Sequence, residues 1–264
     1  MHLQVVCNKV AADRRPAAPP TEEVRVHVPD GFLDAPTSVA TGAVAAGAVA
    51  LALRGARREL DERTAPLAGL TAAFVFAVQM VNFPVGAGTS GHLVGGALTA
   101  VLVGPWTAVL CMTVVLLVQA LLFADGGLTA LGTNITLLGV VAVTVGYGVF
   151  RLLVLLLPRT RTGVLAAAGA GAFLSVPAAA LAFVGLFAVG GVADVPLGTV
   201  LAAMGGVHLL IGVGEAVITV AVLAAVLSVR PDLVAGAAHL RRPADLATRP
   251  GLRAGETVPG EAVR

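Results

Sequence analysis

Residues 25–34 read RVHVPDGFLD, and a second histidine follows in TSGHL at residues 89–93. An imidazole nitrogen is a ligand for borderline transition metals, which makes this pair the first chemistry to weigh. Each histidine also has a plainer reading. His27 precedes a Pro-Asp-Gly turn, where a surface histidine needs no function, and His92 follows a loop where a polar residue can simply open a helix. Gln79, Asn82, Ser90 and Asn134 are nearby polar side chains. They read either as donors that orient an imidazole or as hydrogen bonds between helices. Further on, His208 and Glu215 fall on nearly one helix face, two turns apart, as a structural polar contact or a point of coupling to another subunit.

These residues must be positioned by an apolar scaffold. Of 264 residues 57% are hydrophobic and 12% charged, with 32 glycines and a mean hydropathy of +0.93, outside the range of soluble domains. The pattern predicts an all-α polytopic membrane bundle of six to seven helices. Charged clusters and Gly/Pro groups divide it into spans at 37–53, 65–83, 92–103, 105–123, 131–157, 163–190 and 198–228. The third is too short to cross alone unless Gly104 and Pro105 lie within the membrane or the segment is re-entrant. The domain reading is an N-terminal extension over 1–25, a transmembrane domain over 26–230 and a polar tail over 231–264.

Basic residues in short loops mark the cytoplasmic side. Arg54, Arg57, Arg58 and Arg63 follow the first span, Arg159 and Arg161 the fifth, and Arg230, Arg241 and Arg242 the last. The alternate loops at 84–91, 124–130 and 191–197 hold no Lys or Arg, only Asp125 and Asp194. Seven crossings therefore fit, in a cell-membrane protein with the start of the bundle outside and its C-terminus in the cytoplasm. The formal net charge of +2 comes from arginines scattered over loops and tail, without the aromatic interleaving of a nucleic-acid surface. Cys7 and Cys111 lie in different environments and imply no disulfide framework.

The string Val26-His27-Val28-Pro29-Asp30-Gly31-Phe32-Leu33 resembles the start of the CbiM/NikM family, whose members begin Met-His-Ile-Pro-Asp-Gly-Phe-Leu. The stretches FVFAVQMVNFPVGAGTSGHLVGGAL (74–98), FADGGLTALGTNI (123–135) and HLLIGVGEAVIT (208–219) are similar to the same family. The resemblance implies the substrate-capturing membrane subunit of a cobalt or nickel energy-coupling-factor transporter. Its cargo would be Co²⁺ or Ni²⁺, with no permanent cofactor. Its partners would be a transmembrane coupling subunit, separate cytoplasmic ATPase subunits and a small accessory membrane subunit. Val in place of the initiator Met fits a GUG start codon at position 26. The terminal amine of residue 26, the next amide nitrogen once deprotonated and the His27 imidazole would then form fused chelate rings, and the family resemblance supplies His92 as the fourth nitrogen.

The chain is not an obvious enzyme. It has no G-x-x-x-x-G-K-[ST] loop, and its only lysine is Lys9, so ATP hydrolysis is expected on other subunits. A rival reading pairs Ser90 of Gly88-Thr89-Ser90-Gly91 with His208 as a rhomboid-like intramembrane serine protease. It leaves the HVPDGFLD and FADGGLTALG motifs without a role. A third reading is a self-sufficient metal channel or carrier. The small-residue stripe Gly42, Ala46 and Ala50 suits either packing within the bundle or docking of a coupling subunit.

Overall fold

The computed structural model describes residues 27–62, 64–86 and 89–240, without the side chains of 82–90, 239 and 240. Helices α1 (Ala35–Ala56) and α2 (Thr64–Gln79) lead into a ribbon of β1 (Asn82–Gly86) and β2 (Thr89–His92). Next come α3 (Gly96–Val103), α4 (Pro105–Leu122), α5 (Leu131–Leu156, with a π turn over Ile135–Val141), α6 (Arg161–Gly190) and α7 (Leu197–Val229). Among the described residues five helices are long and apolar enough to cross a membrane, and α2 and α3 are shorter. The shortest, α1 and α4 through α7 included, has 18 residues and so extends about 27 Å, close to the thickness of a bilayer core.

The third segment resolves the length problem posed by the sequence. All eight residues of α3 are buried, and it touches α2, α4, α5, α6 and α7. A helix this short is stable only where protein, not lipid, satisfies its ends. Glu215 on α7 accepts hydrogen bonds from the N–H groups of Val94 and Gly95 at 2.9 and 2.6 Å, at the start of α3. At its far end the chain reverses through Gly104 into α4, whose first amides, Trp106 and Thr107, donate to the Glu59 carboxylate at 3.3 and 2.7 Å.

Contacts sort the connections into two ends. At one end the 27–34 segment meets the α4–α5 turn and the α6–α7 turn: Gly127 N–H donates to Val28 C=O, Asp34 N–H to Gly190 C=O, and Val192 N–H to Phe32 C=O. At the other end Glu59 caps α4, the Arg161 guanidinium donates to the Ala224 carbonyl at 2.6 Å, and Gly236 packs on Phe150 and Val101. Described arginines flank the second end alone: Arg54, Arg57, Arg58, Arg151, Arg159, Arg161 and Arg230. The core follows the same axis, with Val75, Leu93, Met112, Val143 and Ile211 in one cluster and Val101, Phe150, Leu223 and Val234 in the next.

Three boundaries differ from the sequence expectation. Helix α2 stops at Gln79 rather than 83, because Asn82–Gly86 and Thr89–His92 pair as an antiparallel ribbon with Asn82 opposite His92. His92 therefore ends a strand and does not begin a helix; the helix starts at Gly96. Residues past 230 continue to pack on the bundle, with Val234 and Ala237 buried in 3₁₀ turns, so the packed domain runs to at least 237.

Candidate metal centre

Most residues of HVPDGFLD help to fix one short segment. Phe32 lies on Phe183 and Phe187 of α6, with ring centroids 5.7 and 5.5 Å apart, and Leu33 bridges to Gly191. The Asp30 carboxylate accepts from Thr129 N–H at 2.7 Å and Thr129 Oγ1 at 2.5 Å. Those bonds, the Thr129 hydroxyl first, hold the Asp30 carboxyl below its usual range. Asp34 caps α1 by accepting from Thr37 N–H at 2.9 Å. The motif thus meets the second motif, FADGGLTALGTNI, along its length.

Asn134 completes that junction. Its Oδ1 accepts from Val28 N–H at 3.1 Å and its Nδ2 donates to Val28 C=O at 3.2 Å. One side-chain amide therefore satisfies both polar groups of the residue after His27. Asn134 ends the α-helical turn just before the π turn of α5, an irregularity that recurs near functional sites. Gly126 has φ +87, and a Cβ there would lie 2.9 Å from His27 Cβ, so only glycine lets the turn approach the histidine.

His92 is held by a parallel device on other helices. Gln79 Nε2 donates to Val94 C=O at 2.7 Å, and Gln119 Nε2 donates to Gln79 Oε1 at 3.0 Å. Glu215 takes Val94 N–H, as above, so this peptide too is gripped on both sides. Gly95 adopts φ +78, and a Cβ there would come 2.7 Å from Val75.

The two imidazoles meet. Their ring centroids are 4.6 Å apart and each residue is 6% exposed. His92 Nδ1 lies 2.8 Å from the Leu93 carbonyl; as the donor there, it leaves Nε2 with the lone pair. Burial, and then the neighbouring His27, push the His92 pKa down to about 3, so the ring is neutral at physiological pH. His27 Nδ1 lies 3.3 Å from Asp125 Oδ2, and neither of its buried ring nitrogens makes a hydrogen bond among the described residues. A buried imidazole nitrogen left so is costly unless something binds there.

Among the described residues no three His, Cys, Asp or Glu side chains are arranged to hold a metal ion. The two imidazoles supply two nitrogens, and further donors must come from the main chain or from outside the described residues. Val26 lies outside them, as do the side chains of Asn82 and Ser90. Of the other polar residues singled out in the sequence, Asn134 and Gln79 act on peptides beside the histidines, not on the imidazoles. His208 Nδ1 contacts the Met204 carbonyl at 2.8 Å within its own helix. Sequence reasoning passed over Asp125, Gln119 and the capping role of Glu215. A clue to the first lay in the DGG turn between two apolar spans, where a lone acid has little other purpose.

Comparison with known proteins bears on the chain as a whole. The family model described as "Cobalt uptake substrate-specific transmembrane region" matches residues 27–233. A protein of Haloquadratum walsbyi named for metal transport is 39% identical over 209 residues, 79% of this chain and 93% of that protein. A fused nickel transport protein, NikMN, of Rhodobacter capsulatus is 40% identical over 127 residues, covering 48% of this chain and 37% of that one. The crystal structure of a truncated transition metal transporter superposes with a TM-score of 0.69 at 32% identity, covering 77% of this chain and 99% of the other. Neither these matches nor the geometry of His208 favours the protease reading. A match across most of the bundle, beginning at the very histidine that the fold buries against His92, identifies the chain as a member of the CbiM family of cobalt and nickel transport proteins.

Proposed function

We infer that the chain is the capture subunit of an energy-coupled importer, and that it takes Ni²⁺ or Co²⁺ from outside the cell through nitrogen ligands. The observation that carries this is the buried meeting of His27 and His92, ring to ring at 4.6 Å, at the end of the bundle that has no arginine among the described residues. That end is the external one by the positive-inside rule. In this reading the functional chain begins at position 26 as Met-His. Its amine, the His27 amide nitrogen, His27 Nδ1 and His92 Nε2 surround one ion. The chelate ring through Cα, Cβ and Cγ of His27 closes at Nδ1, the nitrogen beside Asp125. Nitrogen donors suit Ni²⁺ and Co²⁺ and disfavour Mg²⁺ and Ca²⁺.

The name of the Rhodobacter capsulatus relative, a fused nickel transport protein, supports nickel as cargo and supports transport partners. The partners in this reading are a transmembrane coupling subunit, cytoplasmic ATPase subunits and a small accessory membrane subunit, since no phosphate-binding loop occurs in the sequence. Ala46 and Ala50 of α1 are exposed, which leaves a small-residue face for the coupling subunit.

Side-by-side titration tests the reading. The form starting Met-His at position 26 should retain one Ni²⁺ or Co²⁺ per chain, and His92→Ala should lose it. The 264-residue chain, its length verified by intact mass, should bind much more weakly because residue 26 then offers a peptide nitrogen in place of an amine. Equal binding by the long and short forms would remove the amine from the site. Equal metal content in wild type and His92→Ala would remove the site itself.

A further inference from the structure

The turn between α4 and α5 is more constrained than a connection requires. Ala124 has φ +52, the only positive φ at a non-glycine residue among those described, a conformation that a side chain with a Cβ disfavours. Gly126 follows at φ +87. Between these two left-handed residues, Asp125 donates its N–H to the Gln119 carbonyl at 3.1 Å and turns its carboxylate inward. Asp125 Oδ2 lies 3.3 Å from His27 Nδ1, with the two side chains 12% and 1% exposed. Backbone strain maintained beside a buried imidazole is the mark of a position selected for function rather than for stability.

A charge count gives the carboxylate a purpose. A divalent ion bound by an amine, two neutral imidazoles and one deprotonated amide carries two positive charges less one, leaving a net positive charge. Burying that charge unpaired costs several kcal/mol. The other acids around this end of the bundle point elsewhere: Asp30 bonds Thr129, Asp34 bonds Thr37, Glu215 takes the amides of Val94 and Gly95, and Asp194 is exposed in the α6–α7 turn. Of these five, Asp125 is the one with its carboxylate toward a histidine. We propose that Asp125 is the counter-ion of the captured metal, set outside the nitrogen ligands and held by the Ala124–Gly126 turn so that the loaded site is electrically neutral.

This rests on the capture reading and adds to it a residue that selects for net charge. A neutral site favours a divalent ion with one deprotonated amide; a monovalent ion in the same ligands would leave an excess negative charge. Asp125 is therefore a charge-balancing group that acts through its contact with His27.

Charge can be separated from shape by comparing Asp125→Asn with wild type, both in the form beginning at position 26. Ni²⁺ affinity should fall about 10–100-fold, the range for loss of a partner just outside a metal's ligands. The visible absorption of the bound Ni²⁺ should be unchanged, since no ligand is lost. Asp125→Glu and Asp125→Gln repeat the question at another size, and the glutamate should bind at least about tenfold more tightly than the glutamine, within the same range. Melting of the metal-free proteins reports whether the fold is kept, and the Glu/Gln pair decides the matter if the asparagine variant does not fold. Affinity equal to wild type in Asp125→Asn, or equal affinity in the Glu and Gln variants, would overturn the counter-ion. So would a changed ligand spectrum, which would make Asp125 a ligand. Wild type binding normally in the same experiment would leave the capture reading standing, whereas a wild type that retained no Ni²⁺ would overturn both.

Discussion

The two histidines reach the same point by unequal means. His92 is tethered on both sides, between strand β2 and the buried helix α3, and the peptide of Val94 is held by Gln79 from α2 and Glu215 from α7. His27 arrives on a segment whose described anchors follow it in sequence, where Asn134 and the Gly127 N–H hold the peptide of Val28 and Phe32 rests on α6. One imidazole faces a backbone carbonyl and the other a carboxylate. The difference teaches that His92 belongs to the scaffold, whereas His27 is presented to it. Preorganisation of one ligand lowers the entropy lost on binding, and a less constrained second ligand can still close over the ion.

The comparison breaks most visibly at Glu215. Replacing it by Gln keeps the shape but aims an amide N–H₂ at one of two backbone donors. One charge-assisted bond, worth about 1.5–3 kcal/mol, is lost and a buried N–H is left unpaired at about 1–3 kcal/mol more. Glu215→Gln should therefore destabilise the metal-free protein by about 4 kcal/mol in detergent, read as a lower melting temperature, and should displace His92 enough to reduce metal retention. A smaller loss is expected from Asn134→Ala. It strands the partly buried N–H of Val28 and leaves its C=O with Gly127 as donor, for about 2–3 kcal/mol, and it should loosen His27 while leaving His92 in place. A cysteine at residue 28 should become reactive to a water-soluble reagent in the Asn134→Ala background. A cysteine at residue 94 should not. Equal reactivity at both would show that the two segments move together and that the contrast drawn between them is wrong.

How far this was legible in the sequence depended on whether the signal was local. Hydropathy placed α1, α4, α5, α6 and α7 to within a few residues, because a lipid-crossing helix writes its length directly into composition. The pair His27 and His92 was found by motif, and their meeting could not be read from spacing, since 65 residues and three elements separate them. Helix α3 was legible only as an anomaly in length. Its explanation needs Glu215, more than 100 residues away in sequence, at its first amides. Gln79 and Asn134 were named as polar residues of the site, with orientation of imidazoles or helix contacts as their roles. Neither alternative anticipated that each would bind a main-chain group next to a histidine, because a backbone acceptor leaves no trace in residue type. Asp125 was passed over as an ordinary loop acid, and the left-handed Ala124 that aims it has no sequence signature at all.

The smallest expected effect is the response of His92 to acid. His92 has a folded pKa of about 3, lowered first by burial and then by His27, against about 6.5 in an unfolded chain. Between those values the unfolded state binds the extra proton, so this residue makes stability rise with pH across that window and fall as pH drops below about 6.5. Above it both states are neutral and the contribution is flat. From pH 6.5 to pH 5 the loss is about 2 kcal/mol at most, at about 1.4 kcal/mol per unit. Metal-free wild type should therefore melt lower at pH 5 than at pH 7.5 by more than His92→Gln does, since the amide takes up no proton. Carboxylates that titrate in both proteins cancel in that difference. If wild type and His92→Gln lost stability equally on acidification, His92 would be reached by water and protons in the folded protein and would not be a buried, preset ligand.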